Sequence, residues 1–286
     1  MRLLPLRSHV PAILFSMFMT GSVTLWAADM TPGEILTRHL DAIGSERARS
    51  AVKSRVVQGP ATYRILVGGS GAIDGKSVVA SEGRKSDYLF KINAGRYRGE
   101  QFICDGDKIS VAGTYSDKTR SEFGNFVLSQ DVVLRENLLG GVWSVGWPLL
   151  DLEGRKATLH GEGMKKVDGQ ELLGLRYQPK KNTDLDISLY FDPQTYRHVM
   201  TVYRMEPSTS VAGGETAMAG KSTRRYRMEE RFSDFQTADG LTLPTRYDVR
   251  YTIESEIGFT KSVEWEVKAT SIINDISIDA RSFQVK

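Results

Sequence analysis

The sequence predicts an α+β protein built on one large antiparallel sheet. Two adjacent stretches near the C-terminus carry the first argument. Tyr247, Val249, Tyr251 and Ile253 alternate with Arg246, Asp248, Arg250 and Thr252. Phe259, Val263, Trp265 and Val267 then alternate with Thr260, Ser262, Glu264 and Glu266, with Lys261 the one break on the apolar side. A period of two gives each strand one apolar and one polar face. The second argument is repetition: about eleven or twelve strand-like runs follow residue 55, mostly joined by short turns. The third is the small share of helix, roughly forty residues by pattern.

At the N-terminus, Arg2 and Arg7 precede an apolar run from about Val10 to Trp26, and Ala27 supplies a small residue before a cleavage point. Residues 1–27 therefore read as a secretory signal peptide, with residues 28–286 forming a single domain. Thr31 and Glu34 make a capping box, Pro32 suits the first helical position, and Ile35, Leu36, His39, Leu40 and Ile43 form one stripe that Gly44 ends. Ser45 opens a second short helix.

Strands are expected over 55–67, 75–81, 85–92, 97–104 and 107–113, with Cys104-Asp105-Gly106-Asp107 as the turn joining the last two. Residues 131–152 break the alternation. They hold Trp143, Trp147 and many aliphatic residues around Gly140 and Gly141. One or two helical turns are expected there, either as core packed on the sheet or as a movable cover hinged at the glycine pair. Strands resume over 156–161, 171–178, 184–191, 197–205, 222–235, 243–254 and 259–272. Residues 207–221, rich in Ser, Gly and Ala, read as a long hairpin tip.

Composition excludes several roles. The formal charge of +3 includes the two signal arginines, so the exported chain is nearly neutral, which argues against nucleic acid. The one cysteine, Cys104, forms no intramolecular disulfide and reads as a small core residue. With no disulfide framework and no Asn-x-Ser/Thr acceptor, a bacterial periplasm is the expected compartment. Beyond the signal, His39, His160 and His198 stand in no metal-ligand spacing, and His198 reads as part of a solvent-facing row. Glu229 and Glu230, among Arg224, Arg225, Arg227 and Arg231, read as solvated exterior with cross-strand ion pairs. No catalytic residue, metal or cofactor is implied, and the chain is not expected to be an enzyme.

The apolar sheet face needs cover. A strongly twisted sheet of this size curls or closes. If the few helices only partly fill it, an apolar hollow remains for an alkyl chain, each methylene contributing about 0.8 kcal/mol on burial. The alternation nominates Tyr88, Phe90, Ile92, Leu189, Phe191, Tyr247, Val249, Tyr251, Val263 and Trp265 as lining, with Trp143 and Trp147 as cover.

Three blocks resemble the LolA family of periplasmic lipoprotein carriers. They are the helix from Glu34 to Gly44; the strand-to-turn block Leu189-Tyr190-Phe191-Asp192-Pro193-Gln194-Thr195; and Phe232-Ser233-Asp234-Phe235 followed by Asp239-Gly240-Leu241-Thr242-Leu243-Pro244. They occur in the family's order and span most of the exported chain, which exceeds the simple carriers notably through 207–221. The resemblance implies a half-open β-barrel with helices on its concave side. It implies binding of lipid or lipoprotein acyl chains for transport toward the outer membrane, with an inner-membrane transporter and an outer-membrane acceptor as partners. A monomer is expected. The alternative is a periplasmic sensor or regulatory binding module of the same fold.

Overall fold

The computed structural model describes residues 30–93, 97–114, 120–206, 224–255 and 258–285. The expected signal peptide and the 207–221 tip lie outside them. The first helix, α1 (Pro32–Ile43), has the expected capping box: Thr31 caps Glu34, and the Glu34 carboxylate accepts from the Thr31 amide. A short α2 (Glu46–Ala51) follows.

From the centre of the sheet, β1 (Ser54–Val67), β2 (Gly71–Glu82), β3 (Lys85–Ile92), β4 (Gly99–Cys104) and β5 (Ile109–Gly113) step outward to one edge. The chain then crosses to the opposite edge through α3 (Glu122–Ser129), α4 (Val132–Arg135), two 3-10 turns and α5 (Leu152–Arg155). From there β6 (Thr158–Val167), β7 (Gln170–Gln178), β8 (Asp186–Phe191), β9 (His198–Met205), β10 (Arg224–Ala238), β11 (Leu241–Ser255) and β12 (Thr260–Lys268) step back inward until β12 pairs with β1. Every pairing is antiparallel. The thirteen-stranded sheet runs from β5 to β6 without closing. The crossing segment therefore has to lie over one face.

The sheet is curled around that segment. On a flat sheet, the five steps from β3 to β10 would separate them by about 24 Å. Yet the Tyr88 hydroxyl of β3 donates to the Leu139 carbonyl, and Glu230 of β10 accepts from the next amide, that of Gly140. Side chains that reach adjacent residues from strands so far apart require a concave sheet. One apolar cluster fills the concavity, built from the inward rows of the strands and from α1, α3, α4 and residues 138–149.

Most expected strands form within a few residues of their predicted ends. Three features differ. Helix α3 was not anticipated. The 131–152 block holds one turn of α-helix and two 3-10 turns, Gly141–Trp143 and Pro148–Leu150. The last expected strand divides at Ala269–Thr270 into β12 and β13 (Ser271–Asn274), both paired with β1. At this division the Thr270 amide donates to Gln58, and Gly59 lies so close that a Cβ would meet the Lys268 oxygen at 2.0 Å.

The outer face carries the expected ion pairs, including Arg64–Glu266, Arg246–Asp248 and Arg250–Glu264. At its far side the β6–β7 hairpin brings Asp168 against Arg231 of β10, and a small second cluster of Leu172, Tyr190, Met200 and Val202 is buried there.

Gly59→Ala should lower the unfolding free energy obtained from urea titration by more than about 2 kcal/mol, because the new methyl overlaps backbone and not a flexible side chain. A change within about 0.5 kcal/mol would contradict the close approach.

Candidate functional site

The crossing segment is fastened to strands on both halves of the sheet. Besides the Tyr88 and Glu230 bonds, Arg55 of β1 donates to the Val142 carbonyl at 2.6 Å, and Trp143 Nε1 donates to the Pro244 carbonyl of β11 at 2.7 Å. The Val145 amide donates to Ser81 of β2 at 3.0 Å, and Arg155 reaches the Gly146 carbonyl at 2.5 Å. A segment without regular structure has many backbone groups to satisfy, and here side chains from the sheet, Arg155 of α5 and turns within the segment share that task. Lifting it would break all these buried bonds together, so residues 137–149 form a plug. The glycine pair serves contact here. Gly140 and Gly141 both take positive φ, and a Cβ would meet the Tyr88 ring at 2.7 Å or the Phe232 ring at 2.9 Å.

Glu230 sits at the centre of this plug and is fully buried. This corrects the expectation of an exposed acid. In β10, Tyr226, Met228, Glu230 and Phe232 share the inward row; Glu229 faces the other side but is buried too, at 6% exposure, under ion pairs with Arg227 and Arg231 of its own strand and not cross-strand partners. Glu230 accepts from Gly140 N at 2.6 Å, Tyr247 Oη at 2.5 Å and Tyr203 Oη at 2.6 Å. Burial pushes its pKa up from 4.5 to about 7, against the pull of these three donors.

His198 is also buried and not solvent-facing as expected. The β8–β9 register shifts between Tyr190 and Phe191, so that Phe191 pairs with His198 and the imidazole turns inward. It stacks on Trp147, with ring centroids 5.0 Å apart, and lies 6.2 Å from His39. Burial holds both imidazoles neutral, lowering His39 to about 4 and His198 well below 6.5.

All ten nominated lining residues lie on the inner face, in β3, β8, β11 and β12, and none is more than 5% exposed. Trp143 and Trp147 are wholly buried within the plug. A side chain without accessible surface has no water-sized space beside it, open or enclosed. The protein's own side chains thus occupy the inner face around these residues, save at Tyr251 and Val263, which keep a little accessible surface.

Open space begins where the plug ends. A cleft of about 310 Å³ lies between α3 and the ends of β9, β10 and β11. Phe126, Met205, Tyr226, Tyr251 and Ile253 give it apolar walls, while Glu122 and Arg224 stand among its polar lining. Of the nominated residues, Tyr251 alone lines it. Helix α3 separates the cleft from the aromatic interior: Phe126 faces Tyr226 and Tyr251, while Phe123 lies against Trp265 with centroids 4.5 Å apart.

The N-terminus of α3 is held at the rim. Glu100 accepts from the Ser121 amide and hydroxyl, each at 2.7 Å, and Glu122 pairs with Lys261, the residue that broke the apolar alternation. At the other end Gln130 contacts the Met205 sulfur at 3.2 Å. Among the described residues no cluster of three or more His, Cys, Asp or Glu is arranged to hold a metal. The arrangement suits an apolar or amphipathic guest.

No protein family's sequence profile matches this chain, and no curated protein matches it. Solved structures do. A DUF1329 family protein from Desulfovibrio piger is 12% identical, with 88% of this chain and 96% of that one covered and a TM-score of 0.47. A LolA superfamily protein from Nitrosomonas europaea is 14% identical, with 90% and 98% covered and a TM-score of 0.46. A putative outer membrane lipoprotein-sorting protein domain from Vibrio parahaemolyticus is 11% identical, with 87% and 97% covered and a TM-score of 0.42. At these identities and TM-scores none of them bears on what this chain binds.

The two buried histidines and the buried Glu230 give opposite pH dependences. Between about 6.5 and 4 the unfolded chain takes up histidine protons that the folded one refuses, so this contribution falls as pH drops. Glu230 holds a proton in the folded state between 4.5 and about 7, so its contribution falls as pH rises through that window. Glu230→Gln should therefore gain stability relative to wild type between pH 4.5 and 8 in urea titrations. A difference that stays flat with pH would contradict this assignment.

Proposed function

We propose that this protein binds the acyl chain of a lipid or lipidated protein, which enters by the cleft beside α3 and extends toward the concave sheet face. One observation carries the reading: a cleft with one apolar wall and one polar wall opens beside the inward aromatic row, and a helix of eight residues is all that separates them. At about 310 Å³ the cleft is near the lower end of ordinary small-molecule sites, about 300–1,000 Å³. It admits part of a long chain as it stands. Tilting α3 about its tethered N-terminus would join it to the space now held by Phe123 and Phe126. Each methylene withdrawn from water contributes about 0.8 kcal/mol toward that movement.

Arg224 at the cleft suits an anionic head group. The biological reading is a single-domain carrier, exported by the signal peptide at residues 1–27, that takes such cargo across the periplasm toward the outer membrane. An inner-membrane donor and an outer-membrane acceptor would be its partners.

Titration with a fluorescent long-chain fatty-acyl probe tests the site. Wild-type protein should bind it, and Tyr226→Asp, at a half-buried wall position, should weaken binding at least tenfold, about 1.4 kcal/mol. Unchanged affinity in the variant would remove the cleft from the site, and no binding by wild type would overturn the reading.

A further inference from the structure

We infer that the hairpin tips beside the cleft form a docking surface for a phospholipid bilayer. Among the described residues, five large apolar side chains stand out as exposed, and three of them lie at one end of the sheet. Leu66 is 40% exposed, Val67 45% and Phe259 49%. Leu66 and Val67 end β1 where it turns into β2, and Phe259 immediately precedes β12. These tips are neighbours. Val67 pairs with Ser262 after a register shift, and Gly68 lies against the backbone of Thr260 and Lys261. The same end carries the cleft: Arg224 pairs with Ser255 and Glu254 with Thr260, which places the ends of β10, β11 and β12 in one row.

The shape and chemistry favour a bilayer over a protein. A stable protein partner needs a face of about 800 Å² on each side. Among the described residues, these two tips offer three separate protruding apolar side chains and not a continuous apolar face. A bilayer interface accepts separate apolar side chains at the depth of the head groups. The nearby cations do not dominate, because Arg64, Lys261 and Arg225 are paired with Glu266, Glu122 and Glu206. Arg224, at the cleft, adds one ionic contact, so docking is mainly by insertion and persists at high salt. Seated this way, the cleft mouth meets the head-group layer, where acyl chains leave or enter a membrane. The direction of cargo rests on the function proposed above, but the docking surface does not.

Sedimentation with vesicles of phosphatidylethanolamine and phosphatidylglycerol tests the inference. Wild type should bind at low and high salt alike. The triple variant Leu66→Ser, Val67→Ser, Phe259→Ser should bind at least tenfold more weakly, with its melting temperature and its affinity for the soluble acyl probe unchanged. Failure of wild type to bind vesicles, equal binding by the variant, or binding abolished by salt would each overturn the inference. So would a wild-type dimer in size-exclusion chromatography that the variant converts to monomer, since the tips would then serve a second copy. The acyl probe reports on the proposed function separately, so the two failures are distinguishable.

Discussion

Adjacent residues of one irregular segment are gripped from opposite halves of the sheet, and the shape of the protein depends on that grip. Tyr88 holds Leu139 and Glu230 holds Gly140, with β2, β1, β12 and β11 arching between them. Sheet twist alone favours curling but does not fix its extent. The two bonds fix it, and Arg55, Ser81 and Trp143 extend the fastening across the intervening strands. Removing one buried partner leaves another polar group unsatisfied, a penalty of about 1–3 kcal/mol for each group. The plug therefore rests on many coupled contacts and is the least movable part of the concave side.

That rigidity confines any opening to the other part of the concave side. Helix α3 is short, is tied at its N-terminus by Glu100 and Lys261, and borders open space along its length. The fold thus divides the concave side into a half fastened by the plug's buried hydrogen bonds and a half bordered by the open cleft. Cleft, helix and exposed tips all gather at the second half. In this geometry an acyl guest would displace the aromatic contacts of α3 and leave the polar bonds of the plug intact.

The strands were legible in the sequence because one buried and one wetted face impose a strict alternation, as in Tyr247–Ile253. The α1 capping box was legible because it is a local device. What escaped depended on longer-range geometry. His198 turns inward only because the β8–β9 register slips beside it. Glu230 shares a row with Met228 and Phe232, a signal that the surrounding arginines masked. Helix α3 is eight residues containing Gly124 and Asn125, too short for a clear stripe, and its start is fixed by Glu100, more than twenty positions away. The ten nominated residues share the inner face, but periodicity reports burial and not vacancy. It identified Tyr251 beside the cleft and had no means to separate it from residues such as Tyr88, which the plug covers.

The central claim is that the concave side yields room to a hydrocarbon guest. Native mass spectrometry of protein released gently from the cells that make it addresses it most directly. The account predicts a chain beginning at Ala28 that carries a non-covalent adduct of lipid or lipidated-protein mass, lost on activation. A population consisting only of bare polypeptide would contradict it.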